Sequence, residues 1–168
     1  MRADKDQDIR ESFFSAMRRL AASVTVITAG DGTRQAGLTA TAVCSLSADP
    51  PSLIACVNQS AGAHDLIANS KRFAVNLLSA DQEQLATLFA DPERAPDRFK
   101  EAHWHEDPNG VPILEETAAN IICRLEKAIP AFTHTIFIGV VEDVKLNKSS
   151  PLLYGTGSFG RFNRLSEY

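Results

Sequence analysis

From Ser23 onward the chain is a succession of short β-type runs broken by turn signals, and this punctuation limits the available folds more than any other feature. "SVTVITA" (23–29) alternates β-branched with other side chains and reads as a strand. "GDGT" (30–33) is a turn, and a second arm, "LTATAVCSL", starts near Ala36 and completes a hairpin. Pro50-Pro51 ends that arm, because neither proline can donate to a ladder. "SLIACVN" (52–58), "RFAVNLL" (72–78), "ANIICRLEKAI" (119–129) and "THTIFIGVVEDVKL" (133–146) supply four more strands.

The helical patterns are few and short. Ile9, Phe13, Met17 and Leu20 recur at helical spacing, which predicts a helix from Asp8 to about Ala22 with Asp8 and Glu11 as a capping box. "AGAHDLIANS" (61–70) is a second, and Ser79 with Gln82 opens a third through "DQEQLATLFA" (81–90). Asp91 to Pro112 is polar and proline-containing, a long surface segment. Strands that do not alternate strictly with long helices argue against a doubly wound parallel sheet and for a closed or sandwiched antiparallel one. With 168 residues and no repeat or linker, residues 1–168 form one domain.

Composition removes several classes of function. A formal charge of −4 does not suit a nucleic-acid binder, which must neutralise phosphates with a basic face. No apolar run is long enough to span a bilayer, and "MRADKDQDIRESFF" lacks the apolar core of a signal peptide, so a cytoplasmic protein is expected. Cys44, Cys56 and Cys123 lie singly in apolar runs without CxxC spacing, as small buried residues of a reducing compartment do. His103 and His105 in "HWH" would share a face if extended, but no third ligand is apparent and no metal is expected. "GTGSFG" (155–160) fits G-x-G-x-x-G, yet only eight residues follow it. A dinucleotide fingerprint must open a helix and reach an acidic residue roughly 20 positions on, so this is either a chance match or a local turn.

The hydroxyl-rich run is what remains. Thr39, Ala40, Thr41 and Ala42 alternate hydroxyls with alanines where a strand built for packing would carry Val and Ile. A half-exposed strand welcomes Thr on propensity alone. Small side chains would also let a flat ligand lie close to the backbone, with threonine oxygens on its polar edge. Asn58, Ser60 and His64 follow the next strand at the same expected end, offering neutral donors and one potential cation for a phosphate or a heterocycle.

At this point the chain resembles a known family. "ITAGDGTRQAGLTATAVCSLSADPPSLIACVNQSAGAHDLI" is similar to the signature half of the flavin reductase family with the FMN-binding split-barrel fold. The nearest flavour is the reductase component of 4-hydroxyphenylacetate 3-monooxygenase and other two-component flavin monooxygenases. "FFSAMRRLAASVTVIT", "RFAVNLLSADQEQLATLFA", "DRF", "THTIFIGVVEDV" and "PLLYGTGSF" continue the likeness in order along nearly the whole chain.

The resemblance implies a mainly β protein with short helices, a closed antiparallel split barrel, and a homodimer holding FMN or FAD between its subunits. It implies NAD(P)H-dependent flavin reduction, with NADH or NADPH as hydride donor and reduced flavin passed to a monooxygenase component. By position it places the isoalloxazine along Thr39, Ala40, Thr41 and Ala42 with Ser45 nearby, and the ribityl phosphate at Asn58, Ser60, Ala61 and His64. Phe89, Ala90 and Arg98 match further flavin contacts, His134 the histidine beside the nicotinamide, and Gly157 and Phe159 the loop near it. Three departures stand out. Thr133-His134 replaces a frequent Asp-His, Phe159 stands where a tyrosine is common, and Ala61 where a hydroxyl is common. The competing readings are a flavin carrier or sensor without turnover, and an enzyme like the pyridoxine-phosphate oxidases. The latter would want a richer Arg and Lys cluster than this chain has.

Overall fold

The computed structural model describes residues 2–164. Helix α1 (Arg2–Met17) leads into β1 (Ala22–Ser23), β2 (Thr25–Gly30), β3 (Gln35–Ala40), β4 (Val43–Ala48) and β5 (Pro51–Asn58). Then come α2 (His64–Ser70), β6 (Arg72–Leu77), α3 (Glu83–Ala90), β7 (Trp104–Glu106) and β8 (Pro112–Leu114). Two long strands, β9 (Ala119–Ala131) and β10 (His134–Leu146), precede the small hairpin β11 (Leu152–Gly155) and β12 (Ser158–Arg161).

Seven strands form one antiparallel sheet in the order β3-β2-β6-β9-β10-β5-β4. Its two edge strands, β3 and β4, are consecutive in sequence and joined only by Thr41-Ala42. Three peptide steps span at most roughly 11 Å, so the sheet must curl until its edges nearly meet. Among the described residues no ladder joins β3 to β4, so the sheet is not closed and this seam separates its two edges. This also corrects the expectation that "LTATAVCSL" is one arm. Its first half pairs with β2 (Thr25 opposite Ala40) and its second half with β5 (Val43 opposite Ala55). The change of partner forces the break, and nothing in the local pattern encodes it.

β2 is buried on both faces and separates two cores. On one face Ile27 packs with Val57, Phe73, Val75 and Phe137, and α2 contributes Leu66 and Ile67. Burying Phe73 or Phe137 fully is worth about 2–3 kcal/mol each. On the other face Val24, Val26 and Leu78 meet Leu88 and Phe89 of α3, with Leu114 and Leu152. Gly37 of β3 permits this second core, because a Cβ there would stand 2.8 Å from the Phe89 ring. Buried Asn76 ties the layers together. Its amide donates to the Val26 carbonyl, and its oxygen accepts from the Leu114 N–H and from Asn120.

Two further expectations change. α1 begins at Arg2 and stops at Met17, so Asp8 and Glu11 lie inside it and cap nothing. Its stripe of Ile9, Phe13 and Met17 faces solvent, because periodicity fixes which side of a helix is apolar and not where that side lands. The polar segment after α3 is anchored, since Phe99 and Trp104 cluster on Phe89 with ring centroids 5.0–5.5 Å apart.

Candidate functional site

The link Thr41-Ala42 joins the two edge strands at the seam, and both flanks hold it. The Thr25 hydroxyl donates to the Ala40 carbonyl at 2.7 Å, and the Cys56 N–H donates to the Ala42 carbonyl at 3.0 Å. Thr39 turns its hydroxyl to α3 and donates to the Ala86 carbonyl at 2.7 Å. Thr41 is exposed, and among the described residues its hydroxyl makes no hydrogen bond. The two threonines of one short run therefore play different parts: Thr39 ties strand to helix, and Thr41 is available to a ligand.

Beside the link lies an open cleft of about 460 Å³ whose lining includes Thr39, Ala40, Thr41, Ala90, Gly157 and Phe159. Six residues singled out from sequence thus converge from β3, α3 and the β11–β12 hairpin. The hairpin tip is Thr156-Gly157, both at positive φ, the geometry that favours glycine. Its register puts Tyr154 opposite Phe159, with ring centroids 5.3 Å apart, and Tyr154 lines the same cleft. Sequence reasoning missed Tyr154. Treating "GTG" as the centre of a tight hairpin, four residues from Gly155 to Ser158, would have found it as the cross-strand neighbour of Phe159.

A second group lies at the same end of β5. The Asn58 side-chain oxygen accepts from the Ser60 N–H and hydroxyl, both at 2.9 Å, and the Ala61 N–H donates to the Asn58 carbonyl. His134 stands opposite Asn58 across the β5–β10 ladder. It is exposed, and its Nδ1 is 2.9 Å from the Thr133 hydroxyl, which leaves Nε2 outward. His64 is differently placed. Its ring is mostly enclosed, with Nδ1 on Asp65 at 2.9 Å and Nε2 on the Thr135 hydroxyl at 2.8 Å. It braces the loop and leaves no ring nitrogen free.

Three expected residues stand elsewhere. Ser45 lines a separate apolar hollow of about 380 Å³ with Thr25, Val43, Leu53 and Val141, outside the cleft. Phe89 is enclosed in the second core. Arg98 is 9% exposed and donates to the Gly37 and Asp91 carbonyls, each at 2.7 Å. Burial pulls its guanidinium below the usual arginine range, partly offset by Asp91, and its Nε–H is buried without a partner. Its cationic groups are thus turned to backbone carbonyls inside the fold. His105 sits 3.4 Å from Glu115, and among the described residues no cluster of three metal-ligating side chains occurs.

Comparison with known proteins fits this geometry. The profile of the flavin reductase like domain matches residues 17–163. The reductase component of an FADH(2)-dependent resorcinol hydroxylase from Rhizobium sp. (strain MTP-10005) is 39% identical over 157 residues, covering 91% of this chain and 87% of that protein. An FMN reductase (NADH), RutF, from Stutzerimonas stutzeri (strain A1501) is 36% identical over 154 residues, covering 91% and 86%. The solved NADH:FAD oxidoreductase SgcE6 of Streptomyces globisporus C-1027, in complex with NAD and FAD fragments, superposes with a TM-score of 0.87 at 29% identity, covering 94% of this chain and 95% of that one.

Proposed function

The chain belongs to the flavin reductase like domain family, and from that premise we propose how its own residues carry out the reaction. It is an NAD(P)H-dependent flavin reductase that supplies reduced FMN or FAD to a separate monooxygenase component. The flavin, when bound, supplies the hydride acceptor, and the reduced nicotinamide supplies the donor.

The residues at the seam fit such a group. Ala40, Ala90 and Gly157 in the cleft, with exposed Ala42 beside them, leave the backbone approachable by a flat ring, and among the described residues the Thr41 hydroxyl has no partner to give up. Thr41 would donate to the polar edge of the ring, where negative charge develops, and an oriented donor there lowers the barrier. Ala40 and Ala42 hold that donor in place through their carbonyl bonds. Tyr154 and Phe159 wall the opposite side and exclude water. Asn58, Ser60 and Ala61 would hold the ribityl phosphate, and His134 would orient the nicotinamide through its outward Nε2. No catalytic nucleophile is required, because the protein's work is to stack two rings and fix their spacing.

We further infer a homodimer that completes the site and buries the seam. Ile9, Phe13 and Met17 along α1, Leu20 just after it, Leu46 on edge strand β4, and Val144 and Leu146 on β10 are all exposed, apolar surface that a second subunit would cover. Three free thiols suit the cytoplasm, and no helix among the described residues is long and apolar enough to cross a membrane.

The observation that carries the reading is the free Thr41 hydroxyl among small side chains at the mouth of the cleft. Anaerobic stopped-flow mixing with NADH or NADPH and either flavin tests it. Bleaching of the flavin band is expected; a bound flavin that stays oxidised would make the protein a carrier.

A further inference from the structure

Phe132 is the most exposed large apolar side chain of the described residues, at 103% of its reference surface. It also has φ +55°. It is the first residue of the two-residue link between β9 and β10, since His134 pairs with Ala131. Tight hairpins of this length take positive φ at that position and ordinarily fill it with Gly, Asn or Asp. A phenylalanine there carries both a steric cost and the cost of an apolar ring held in water. Such an outlier points to a role outside the packing of the chain.

The surroundings say what that role is. The Gln59 N–H donates to the Thr133 carbonyl at 3.0 Å, and the Gln59 side chain donates to the His134 carbonyl at 3.1 Å. The hairpin tip and the Asn58–Ala61 loop are thus pinned together, and Phe132 lies two residues before His134, which pairs with Asn58. We propose that Phe132 is a stacking platform for the adenine of a dinucleotide whose phosphates lie along Asn58–Ala61. The inference rests on the flavin-reductase reading and deepens it. FMN ends at its phosphate and carries no group that could reach this ring, whereas FAD and NADH both continue to an adenine. An aromatic face suits a base because every base offers a π-face, and losing such a stack costs about tenfold to a hundredfold in affinity. The pinned tip fixes the backbone that carries the ring before the ligand arrives, which reduces the entropy lost on binding.

The test compares wild type with Phe132→Gly and Phe132→Trp. Glycine accepts the positive φ, so Phe132→Gly should keep or raise the melting temperature. Direct titration with FAD, FMN and ADP gives dissociation constants, and KM is measured for NADH against reduced nicotinamide mononucleotide with FMN as acceptor. If the flavin's adenine stacks here, Phe132→Gly weakens FAD about tenfold or more and leaves FMN within about twofold. If the nicotinamide cofactor's adenine does, KM rises for NADH and not for the mononucleotide. In both cases ADP binding falls and Phe132→Trp behaves as wild type. The proposal is overturned if FAD and FMN, and NADH and its mononucleotide, change in parallel or not at all. It is equally overturned if Phe132→Gly alters only the sedimentation of the protein, which would make the tip a protein contact. A wild type that binds FAD but never reduces it counts against the reaction and leaves the stacking result standing.

Discussion

Replacing Thr41 and Thr39 separately by valine should divide binding from stability. Both changes keep β-branching and shape and remove one hydroxyl. Thr41→Val removes a group that bonds nothing among the described residues, so the fold should lose less than about 0.5 kcal/mol. The flavin should lose one neutral hydrogen bond, about 1 kcal/mol, which is roughly fivefold in affinity. Thr39→Val removes the 2.7 Å bond to the Ala86 carbonyl that holds α3 on β3. That should cost about 1 kcal/mol of stability, or about 2–4 °C in melting temperature for a chain of this size. Flavin fluorescence titration and thermal melts on the same preparations read both quantities. The reasoning fails if Thr41→Val leaves the flavin dissociation constant unchanged, or if it lowers the melting temperature as much as Thr39→Val does.

Arg98→Ala should act on the fold. A buried carbonyl, of Gly37, and a half-buried one, of Asp91, lose their donors, so about 2–4 kcal/mol of stability should go, while FMN and riboflavin, which lacks the phosphate, respond alike. A larger KM penalty for FMN than for riboflavin would instead make Arg98 a phosphate ligand. His134→Ala should lower kcat/KM for the nicotinamide by about tenfold to a hundredfold and keep flavin affinity within about twofold; loss of flavin binding with an unchanged reduction rate would exchange the two sites. Burial pushes the Cys123 thiol up to about 12, with Glu142 adding to the rise. The folded state therefore keeps a proton that the unfolded chain releases, and stability present below about pH 9 should fall by about 1.4 kcal/mol per pH unit between about 9 and 12. Chemical denaturation of Cys123→Ala should show a shallower alkaline limb, and identical slopes would contradict the assignment.

Much of the fold was legible because local pattern and final environment agree. The β2–β3 hairpin, β6, β9, β10, α2 and α3 lie close to where alternation, turn residues and the Ser79–Gln82 pair place them; the Gln82 side chain accepts the Ser79 N–H at 2.9 Å. The misreadings share one cause, which is that the deciding partner is remote in sequence. "LTATAVCSL" splits because β2 claims one half and β5 the other. Arg98 reads as a surface cation until Gly37, 61 residues away, takes its guanidinium. Phe99 and Trp104 sit in a polar stretch, and only their packing on the Phe89 ring draws that stretch onto the second core.

Within the site, the same logic explains why residue type was informative and residue role was not. A run of Thr-Ala-Thr-Ala announces a backbone that something must approach closely. On the chain, however, Thr39 and Thr41 have equal claims to the ligand. The fold decides between them by pairing Thr39 with a helix carbonyl and leaving Thr41 at the seam. His64 and His134 follow the same pattern: one is locked between Asp65 and Thr135, the other opens to solvent beside Asn58. With Arg98 turned inward, the loop from Asn58 to His64 carries no lysine or arginine, and a phosphate there would meet neutral donors. That is a weak hold, and it suits a reductase whose reduced flavin must leave for another protein.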